Sequence, residues 1–499
     1  MSESVGRRAV FVAGAATVLT LGRVGFAGAA GAGEETRTVR GTLPPGAPDF
    51  VELPFDVPRG VREIEVSYTY EKVSVPPGTP NNALDIGIFD ERGTGLGGEG
   101  FRGWSGGARS SFFLRADAAT PGYLPGPLRA GTWHVVLGPY TVAPQGLPYA
   151  VTITLRYGDP GRTPRPIHPP LRARGRGRAW YRGDCHLHSV HSDGRRSPAE
   201  LAALARAAGL DFINTSEHNT NSAHGAWEGL WGDDLLILTG EEITTRNGHV
   251  LAIGTDPGTF VDWRYRAREN RFGRFAREIR RAGGLVVPAH PHATCVGCNW
   301  KFGFAEADLV EVWNGPFTPD DEVSLQAWDA TLAGAVPGRP WTPAMGNSDA
   351  HRDPDRVGGP QTVVLAKELS RDAILAGLRA GRAYVAESAA VSLSLTAVGS
   401  RGRHAGIGER LPAEPAEPIT IRCEASGAPG RTLSLVTDQG TLLTTTLPAS
   451  GTGAAEWLTT PRYTTYVRAE LRHAPTVAGL PGPLAAFTNP IFLGGHHHR

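Results

Sequence analysis

The first third of the chain alternates apolar and polar residues in short segments. From about residue 38 to residue 157 these segments are separated by clusters of Gly and Pro, and they read REIEVSYTYEK, NALDIGIFD, WHVVLGPY and YAVTITLRY. A period of two is typical of strands with one buried face, and the Gly/Pro clusters predict the turns between them. We therefore predict an all-β sandwich domain over residues 36–158.

A different pattern follows a stretch of Pro, Arg and Gly, which we interpret as a linker over residues 159–178. From Ala179 onward, short apolar runs that end in polar residues alternate with helical patterns, which is typical of an α/β domain. One helix is predicted by Ser197 as N-cap, Pro198 at the first position, Glu200 three residues after the cap, and Gly209 at the end.

Two more helices are predicted over about residues 270–281 and 370–381, and the α/β domain is predicted to cover residues 179–387. Beyond Glu387 the strand pattern returns in the segments VSLSLTAV, ITIRCEA, LSLVTD and YVRAEL. These segments predict a second, smaller β-sandwich over residues 388–494.

The first residues have the pattern of a targeting segment. Arg7 and Arg8 precede an Ala-rich apolar run over residues 9–21, and small residues follow near Ala29. This predicts a signal peptide over residues 1–32, similar to a twin-arginine signal, and an exported protein that is periplasmic, secreted or at the cell surface. The run is shorter than the ~20 apolar residues that span a bilayer, so a permanent membrane anchor is the less favoured alternative.

Composition narrows the function classes. The 499 residues carry a formal net charge of +1, so nucleic acid is not an expected partner. Four cysteines are too few to form a disulfide framework in a chain of this length. Cys295 and Cys298 form a C-x-x-C pair without a second such pair to complete a zinc site, which favours a loop staple or free thiols over a metal or redox role.

Histidines concentrate in the α/β segment, where most of them follow an apolar run. Nine of the sixteen lie between residues 186 and 351. Seven of these nine are in the segments AWYRGDCHLHS, LDFINTSEHN, GHVLAIG, GLVVPAHPH and TPAMGNSDAH, and the carboxylates Glu241 and Glu242 lie near the end of LLILTGEEI. In α/β barrels, functional residues collect at the C-terminal ends of the strands. A lone histidine is usually structural, but a series at strand ends predicts a metal site.

Local spacing supports this prediction. His186 and His188 are two residues apart on a strand and point to the same face, and Asp349 and His351 repeat that spacing. Cys185 points to the other face, so we interpret it as a buried structural thiol.

The segments DCHLHSVHSDG, SEHN, GEE, AHP and NSDAH, in this order, resemble the motifs of the PHP family, the polymerase and histidinol phosphatase domain. The segments ITTRNGHVLAIG, VEVWNG and AFTNPIFL resemble, more narrowly, its CehA/McbA-like branch. The resemblance implies an α/β fold, a distorted (β/α)7 barrel flanked here by the two β-sandwich domains. It also implies two or three divalent metal ions per chain.

The resemblance assigns one metal to His186, His188, Glu242 and Asp349. Glu242 is implied to bridge to a second metal, which His290 also binds. A third metal is assigned to His218, His351 and Asp193, and His249 is implied as a further ligand. Glu217 departs from the family, which more commonly has Asp there, so the third site is the least secure. His191, His224 and His292 match no ligand position, and we interpret them as supporting or surface residues, with His292 the best candidate for a substrate contact.

Imidazole and carboxylate ligands suit Zn, Mn or Fe, and the sequence does not choose among them. A hydroxide that bridges two ions is the expected nucleophile. His218 or His351 is a candidate proton donor to the leaving oxygen, as is a metal-bound water. Arg352 is a candidate contact for an anionic substrate, although an ordinary surface arginine is the more common role.

These observations predict an exported metal-dependent hydrolase, with a small phosphoester as the favoured substrate. A carbamate or carboxylic ester is the alternative, because five aromatic residues that follow His290 could form an apolar pocket: Trp300, Phe302, Phe304, Trp313 and Phe317. An alternative of another class is a surface or glycan-binding protein with a relic barrel. The sequence leaves the substrate and the oligomeric state open.

Overall fold

The computed structural model describes residues 33–334, 341–477 and 479–495. Strands dominate the described ranges, which also contain four α-helices. The predicted signal peptide lies outside the described residues. In the described ranges, none of the helices has the length and apolar content needed to cross a bilayer.

Eight strands form the N-terminal part of the structure. They are β1 (Glu34–Leu43), β2 (Val51–Val57), β3 (Val61–Tyr70), β4 (Ala83–Phe89), β5 (Phe101–Gly106), β6 (Ser111–Arg115), β7 (Gly131–Thr141) and β8 (Leu147–Tyr157). Their hydrogen bonding gives two antiparallel sheets, ordered β1-β8-β3-β6 and β2-β7-β4-β5. One core receives Ile64 and Val151 from the first sheet and Phe55 and Val135 from the second. Two sheets thus share a core where the sequence predicts a sandwich.

The middle of the chain alternates strands and helices. The strands are β9 (Ala179–Asp184), β10 (Phe212–Asn214), β11 (Leu236–Leu238), β12 (Glu241–Thr245), β13 (Gly248–Ile253), β14 (Leu285–Ala289), β15 (Val310–Asn314), β16 (Ala344–Asn347), β17 (Gln361–Ala366) and β18 (Ala383–Ala386). The helices are α1 (Pro198–Ala207), α2 (Phe272–Arg281), α3 (Pro319–Ala333) and α4 (Arg371–Arg379). The three predicted helices correspond to α1, α2 and α4, and α3 was not predicted.

Helix α1 begins as its sequence predicts. The Ser197 hydroxyl accepts from the Glu200 N–H, and the Glu200 carboxylate accepts from the Ser197 N–H at 2.7 Å. Pro198 occupies the first helical position, where its missing N–H costs no hydrogen bond. The capping box therefore fixes the point at which the chain enters this helix.

The middle strands belong to three hydrogen-bonded sheets. Strands β9, β10 and β11 are parallel, β17 pairs with β9 antiparallel, β12, β13 and β14 form an antiparallel sheet, and β15 pairs with β16 in parallel. One core nevertheless draws on all three sheets, through Phe212, Leu251, Val287, Met345 and Val364. The mixed α/β class is confirmed, and closure into a (β/α)7 barrel stays a prediction.

The remaining strands are β19 (Ser392–Val398), β20 (His404–Gly406), β21 (Arg410–Leu411), β22 (Ile419–Ser426), β23 (Thr432–Thr437), β24 (Gly440–Thr446), β25 (Gly453–Thr459), β26 (Tyr466–Arg472), β27 (Leu484–Thr488) and β28 (Ile491–Leu493). Strands β20, β19, β22 and β25 form one antiparallel sheet. Strand β27 pairs with β18, so the sheet of β9 continues through β26 into β23 and β24. The C-terminal strands are thus hydrogen-bonded to the middle of the chain.

An aromatic core joins the N-terminal sheets to the middle of the chain. Trp104 of β5 packs against Trp263 with ring centroids 4.8 Å apart, and Phe101 stacks on Phe260 at 3.9 Å. An ion pair between Arg266 and Asp49 reinforces the contact. Large aromatic contacts of this kind bury enough apolar surface to hold the two parts in a fixed relation.

Candidate metal centre

The structure brings all nine predicted metal ligands together at one end of the middle strands. His186 and His188 follow β9, Glu242 lies on β12, and His249 lies on β13. His290 directly follows β14. Asp349 and His351 follow β16, and a parallel bridge between Leu187 and Ala350 places their segment beside that of His186. His218 pairs with Glu242 in a second parallel bridge.

The nine side chains form four overlapping groups. In each group, one nitrogen or oxygen atom per residue lies within 4.8 Å of the corresponding atoms of the other members. The outer group consists of His188, Asp193, His218 and His351. The other three groups are His186, His290 and Asp349; His186, His188 and Glu242; and Glu242, His249 and His290. Glu242 belongs to two groups, as do His186, His188 and His290, and among these four residues only Glu242 has two carboxylate oxygens with which it could bridge two ions. The groups contain the nine residues that the resemblance implies but divide them differently, with His188 in the outer group and His290 beside His186 and Asp349. Their role as ligands is a proposal that rests on this geometry.

Four buried atoms at the centre of the cluster face one another. His186 Nε2 lies 3.3 Å from Glu242 Oε2 and 3.1 Å from Asp349 Oδ1. His188 Nε2 lies 3.4 Å and 3.0 Å from the same two oxygens. All four atoms are buried and make no hydrogen bond of good geometry within the described residues, although Glu242 Oε2 also lies 2.8 Å from His218 Nδ1.

Leaving such polar atoms unpaired in the interior costs about 1–3 kcal/mol each. Ligands at ~2.1 Å from a tetrahedral metal ion lie ~3.4 Å from one another, which is close to the spacing observed here. The donor set and its spacing therefore fit a divalent cation, which would satisfy all four atoms at once.

Charge within the cluster also favours cation binding. Burial opposes ionisation of Glu242, but His218, His186 and His249 outweigh it and hold its pKa well below the usual range. Burial lowers the pKa of His188 to about 3, so the ring is uncharged at neutral pH and one of its nitrogens has a free lone pair. Burial also opposes the charged form of His218, but Glu242 and Asp193 raise its pKa to about 10. Without metal this part of the cluster therefore holds protons, which a cation would displace.

The outer group is the most open. The Asp193 side chain is 46% exposed, and its Oδ1 lies 3.5 Å from His218 Nε2 and 3.3 Å from His351 Nε2. His218 Nδ1 lies 2.6 Å from the Thr244 hydroxyl, which fixes the ring. An ion held by this group would exchange with solvent more readily than one at the buried centre.

Glu311 is a buried residue of the site that the sequence analysis did not identify. One oxygen lies 3.1 Å from His186 Nδ1 and accepts from Asn347 Nδ2 at 2.8 Å. The other accepts from the His290 N–H at 2.9 Å and from Asn314 Nδ2 at 3.0 Å. A carboxylate behind a histidine orients the ring and makes it a better ligand. The signal was available in the VEVWNG segment, whose Glu311 lies on β15.

Glu217, the residue that departs from the family pattern, supports the chain between His188 and Asp193. It accepts from the Ser189 N–H at 3.1 Å and from the Ser192 hydroxyl at 2.5 Å, and it is buried. Its longer stem therefore reaches the segment that carries two members of the outer group.

Other predicted candidates lie outside the cluster. Glu241 accepts from the Val261 N–H at 3.0 Å, which agrees with the choice of Glu242 as the ligand. Three further histidines are bonded elsewhere: His191 Nδ1 lies 3.0 Å from the Ser222 hydroxyl, His224 Nε2 lies 2.9 Å from the Gly240 carbonyl oxygen, and His292 Nδ1 lies 3.1 Å from the Ser324 hydroxyl. Arg352 is exposed and lines a cleft beside the cluster.

Two clefts reach the cluster. One of about 930 Å³ is lined by His290, Asp349 and His351 together with Trp313 and Phe317. The other, of about 660 Å³, is lined by Asp193, His218 and His249 and by residues of the N-terminal sheets.

The aromatic residues predicted as a pocket are thus divided. Trp300 and Phe302 pack in the core with Phe272, Phe304 is 41% exposed, and only Trp313 and Phe317 line the larger cleft.

The cysteines have structural roles. Cys295 and Cys298 form a disulfide, which agrees with a loop staple. Cys185 and Cys423 are free and buried, and Cys185 packs in the core of the middle strands as predicted.

Comparisons with known proteins give partial structural likenesses. No protein-family model and no curated protein matches the chain. A two-domain protein from Bacteroides vulgatus, described as containing a PHP-like metal-dependent phosphoesterase, matches 66% of this chain and 99% of its own at 17% identity and a TM-score of 0.37.

Two other solved structures are similar over shorter parts of the chain. A protein from Bifidobacterium adolescentis, described as a metal-dependent phosphoesterase, matches 40% of this chain and 93% of its own, at 20% identity and a TM-score of 0.26. An amidohydrolase from Chromobacterium violaceum matches 35% and 89%, at 18% identity and a TM-score of 0.25. The structural neighbours thus include PHP-like metal-dependent phosphoesterases, in agreement with the family that the motifs resemble, and none of them bears on the CehA/McbA-like branch.

Proposed function

We propose that this protein is a metal-dependent hydrolase that acts on small phosphoesters. The proposal depends on one observation, the four buried, unpaired atoms of His186, His188, Glu242 and Asp349 that face one another at 3.0–3.4 Å. A relic site in a binding protein would have no reason to keep this arrangement. We also propose that the nine clustered residues enclose two or three ions at the mouth of a distorted (β/α)7 barrel with flanking β domains.

The residues of the chain have separate tasks in this proposal. Divalent ions supply polarisation of the phosphoryl oxygen and activation of a water molecule when they are bound. The four central residues hold them, and Glu311 orients His186. His218 and His351 lie at the open side of the cluster, and when the outer group holds no ion, a protonated Nε2 of either residue can donate to the leaving oxygen.

Charge in the smaller cleft supports a phosphoester over a neutral carbamate or carboxylic ester. The cleft is lined by two carboxylates, Asp85 and Asp193, and by four arginines, Arg109, Arg195, Arg246 and Arg352. Trp300 and Phe302, which would have favoured a neutral substrate, are packed in the core. Trp313 and Phe317 line the larger cleft, and for this reason hydrolysis of a carboxylic ester or carbamate is a second candidate function.

A substrate panel tests the proposal. On one metal-loaded preparation, kcat/KM is compared for p-nitrophenyl phosphate, a phosphodiester analogue, p-nitrophenyl acetate and an aryl N-methylcarbamate. We expect a phosphoester to be hydrolysed best. A carbamate or acetate that wins by more than about tenfold, ~1.4 kcal/mol in transition-state stabilisation, would overturn the phosphoesterase assignment.

Variants test the centre itself. His188→Ala and Asp349→Ala are expected to abolish turnover while circular dichroism and the melting temperature show a retained fold. His404→Ala, at an exposed position on β20, is the matched control and should keep full activity. Full activity in either central variant would refute the ligand assignment.

We further propose that the protein is exported. The support is the sequence alone, in which Arg7 and Arg8 precede an apolar run over residues 9–21.

A further inference from the structure

The cleft of about 660 Å³ is shared between the metal centre and the N-terminal sheets. Its lining includes His218 and His249 from the cluster and Asp85, Trp104 and Tyr140 from β4, β5 and β7. The aromatic core that contains Trp104 and Trp263 fixes the position of the N-terminal wall. The N-terminal sheets therefore form part of any substrate site that opens on the outer ligand group.

Arg246 is the most strongly positioned of the arginines in this cleft. It lies in the turn between β12 and β13, and its guanidinium lies 4.2 Å from the centroid of the Tyr140 ring. The Tyr140 hydroxyl donates to the carbonyl oxygen of Val296, inside the loop closed by the Cys295–Cys298 disulfide. Stacking on an aromatic ring restricts the guanidinium and leaves its N–H groups free for hydrogen bonding.

The turn that carries Arg246 is held by the same loop. The Gly248 N–H donates to the Gly297 carbonyl oxygen at 2.7 Å, and Ala267 N–H donates to Asn247 Oδ1 at 2.9 Å. Both sides of the Arg246–Tyr140 pair are therefore fixed by neighbouring backbone. A preorganised arginine loses little conformational entropy when it binds an anion.

Nothing in the described structure neutralises this guanidinium directly. Asp85 and Asp49 contribute attractive charge, but neither forms an ion pair with Arg246, and Asp49 is paired with Arg266. Arg246 is four residues beyond Glu242 along the chain, which is about 13 Å at ~3.3 Å per strand residue. The backbone that carries this cation is thus separated from the central ligand Glu242 by most of the length of β12.

We propose that Arg246, stacked on Tyr140, binds a second anionic group on the alcohol part of the substrate, a carboxylate or phosphate separate from the phosphoester that reacts. This inference rests on the proposed function. It makes the substrate a small organic phosphoester with at least two anionic groups. It also makes the N-terminal sheets a determinant of specificity, because Tyr140 holds the arginine in place.

The first experiment compares substrate pairs that differ in one carboxylate. Phosphate release is measured for 3-phosphoglycerate against glycerol 3-phosphate, and for 4-carboxyphenyl phosphate against phenyl phosphate, with the metal-loaded full chain. We expect kcat/KM to favour the carboxylate-bearing member of at least one pair by about tenfold or more, mainly through a lower KM. No preference in either pair, from an enzyme that hydrolyses all four, would overturn the inference and leave the proposed function intact.

Variants assign the preference to Arg246. In Arg246→Gln the preference should fall to within about twofold, and Arg246→Lys should keep only part of it because an ammonium lacks the planar fork. Arg268→Gln is the matched control, since Arg268 is exposed, without an ion pair in the described residues and outside the cleft lining. A preference that persists in Arg246→Gln, or that falls equally in Arg268→Gln, would overturn the assignment.

A binding measurement is independent of turnover. Chelator-treated protein is titrated with succinate by calorimetry, and we expect Arg246→Gln to bind about tenfold more weakly than the wild type while Arg268→Gln binds equally. If wild-type protein hydrolyses no phosphoester but shows this difference, the proposed function fails and the anion site stands. Equal binding by wild type and Arg246→Gln would overturn the anion site.

Discussion

Replacing Glu311 by Gln is the most informative test of how the centre is built. Each Glu311 oxygen faces two nitrogen donors. One oxygen lies 3.1 Å from His186 Nδ1 and 2.8 Å from Asn347 Nδ2. The other lies 2.9 Å from the His290 backbone nitrogen and 3.0 Å from Asn314 Nδ2. A glutamine keeps one oxygen and turns the other position into a donor. Either orientation therefore places an NH₂ group against two donors.

The magnitude follows from the role of that contact. Removing the partner of a ligating histidine typically lowers metal affinity 10–100-fold, about 1.4–2.7 kcal/mol. Because Glu311→Gln disturbs His186 and the backbone of His290 together, we expect the upper part of this range. The assay is a chelator titration of metal-loaded protein, with released metal measured by a colorimetric indicator.

Two control variants are compared with Glu311→Gln in the same chelator titration. Glu241→Gln makes the same chemical change at a buried glutamate that contacts the Val261 N–H outside the cluster, so metal retention should match the wild type. Asp349→Ala removes a predicted ligand and should release metal at the lowest chelator concentration. Metal retention by Glu311→Gln within about twofold of the wild type would refute the argument that this carboxylate tunes the centre.

Three further predictions follow from other parts of the chain. Elemental analysis of protein made with ample Zn and Mn should find at least two ions per chain, roughly two or three, and a value near zero with no activity after metal addition would contradict the proposed centre. Replacing Arg7 and Arg8 by Lys should retain uncleaved protein in the cytosol, whereas unchanged secretion of a mature form that begins near Gly31 would indicate the general export route. Burial raises the pKa of Glu241 well above its usual range. The folded state therefore keeps a proton that the unfolded chain releases above about pH 4.3. The free energy of unfolding consequently falls as pH rises above that value, by up to ~1.4 kcal/mol per pH unit. Glu241→Gln should therefore raise the melting temperature more at about pH 8 than at about pH 5, and an equal shift at both pH values would contradict this linkage.

Much of the candidate centre could be predicted from the sequence. Its residues follow short apolar strands, and spacing of two residues puts pairs such as His186 and His188 on one face. Alternation implies that only one of Glu241 and Glu242 faces the site, the G-x-E pattern of the family that the chain resembles points to Glu242, and the structure turns the two side chains to different surroundings. Glu311 was missed because a single glutamate inside an apolar strand carries no spacing signal, although its burial requires several partners.

The fold was less predictable than the site. The apolar runs indicated strands but not their direction, so the antiparallel pairing of β17 with β9 could not be expected from them. Helix α3 had a readable start, with Pro319 at its first position and Asp321 accepting from the Thr318 N–H at 2.7 Å. Its buried positions lie on one helix face, but two of them, Asp321 and Ser324, are polar, so the apolar pattern along the sequence is weak. Periodicity therefore failed where capping residues would have succeeded.

The contact between Tyr140 and Arg246 in the smaller cleft could not be predicted from the sequence for a different reason. Tyr140 and Arg246 are separated by more than a hundred residues, and in sequence each belongs to an ordinary strand or turn. Their contact at 4.2 Å exists because the aromatic core around Trp104 and Trp263 docks the N-terminal sheets on the middle of the chain. Metal ligands on neighbouring strand ends are local consequences of strand spacing, whereas a wall supplied by another sheet pair depends on docking. The residues of the centre are thus readable along the chain, whereas the cleft in which we propose that the substrate binds is completed by the N-terminal sheets.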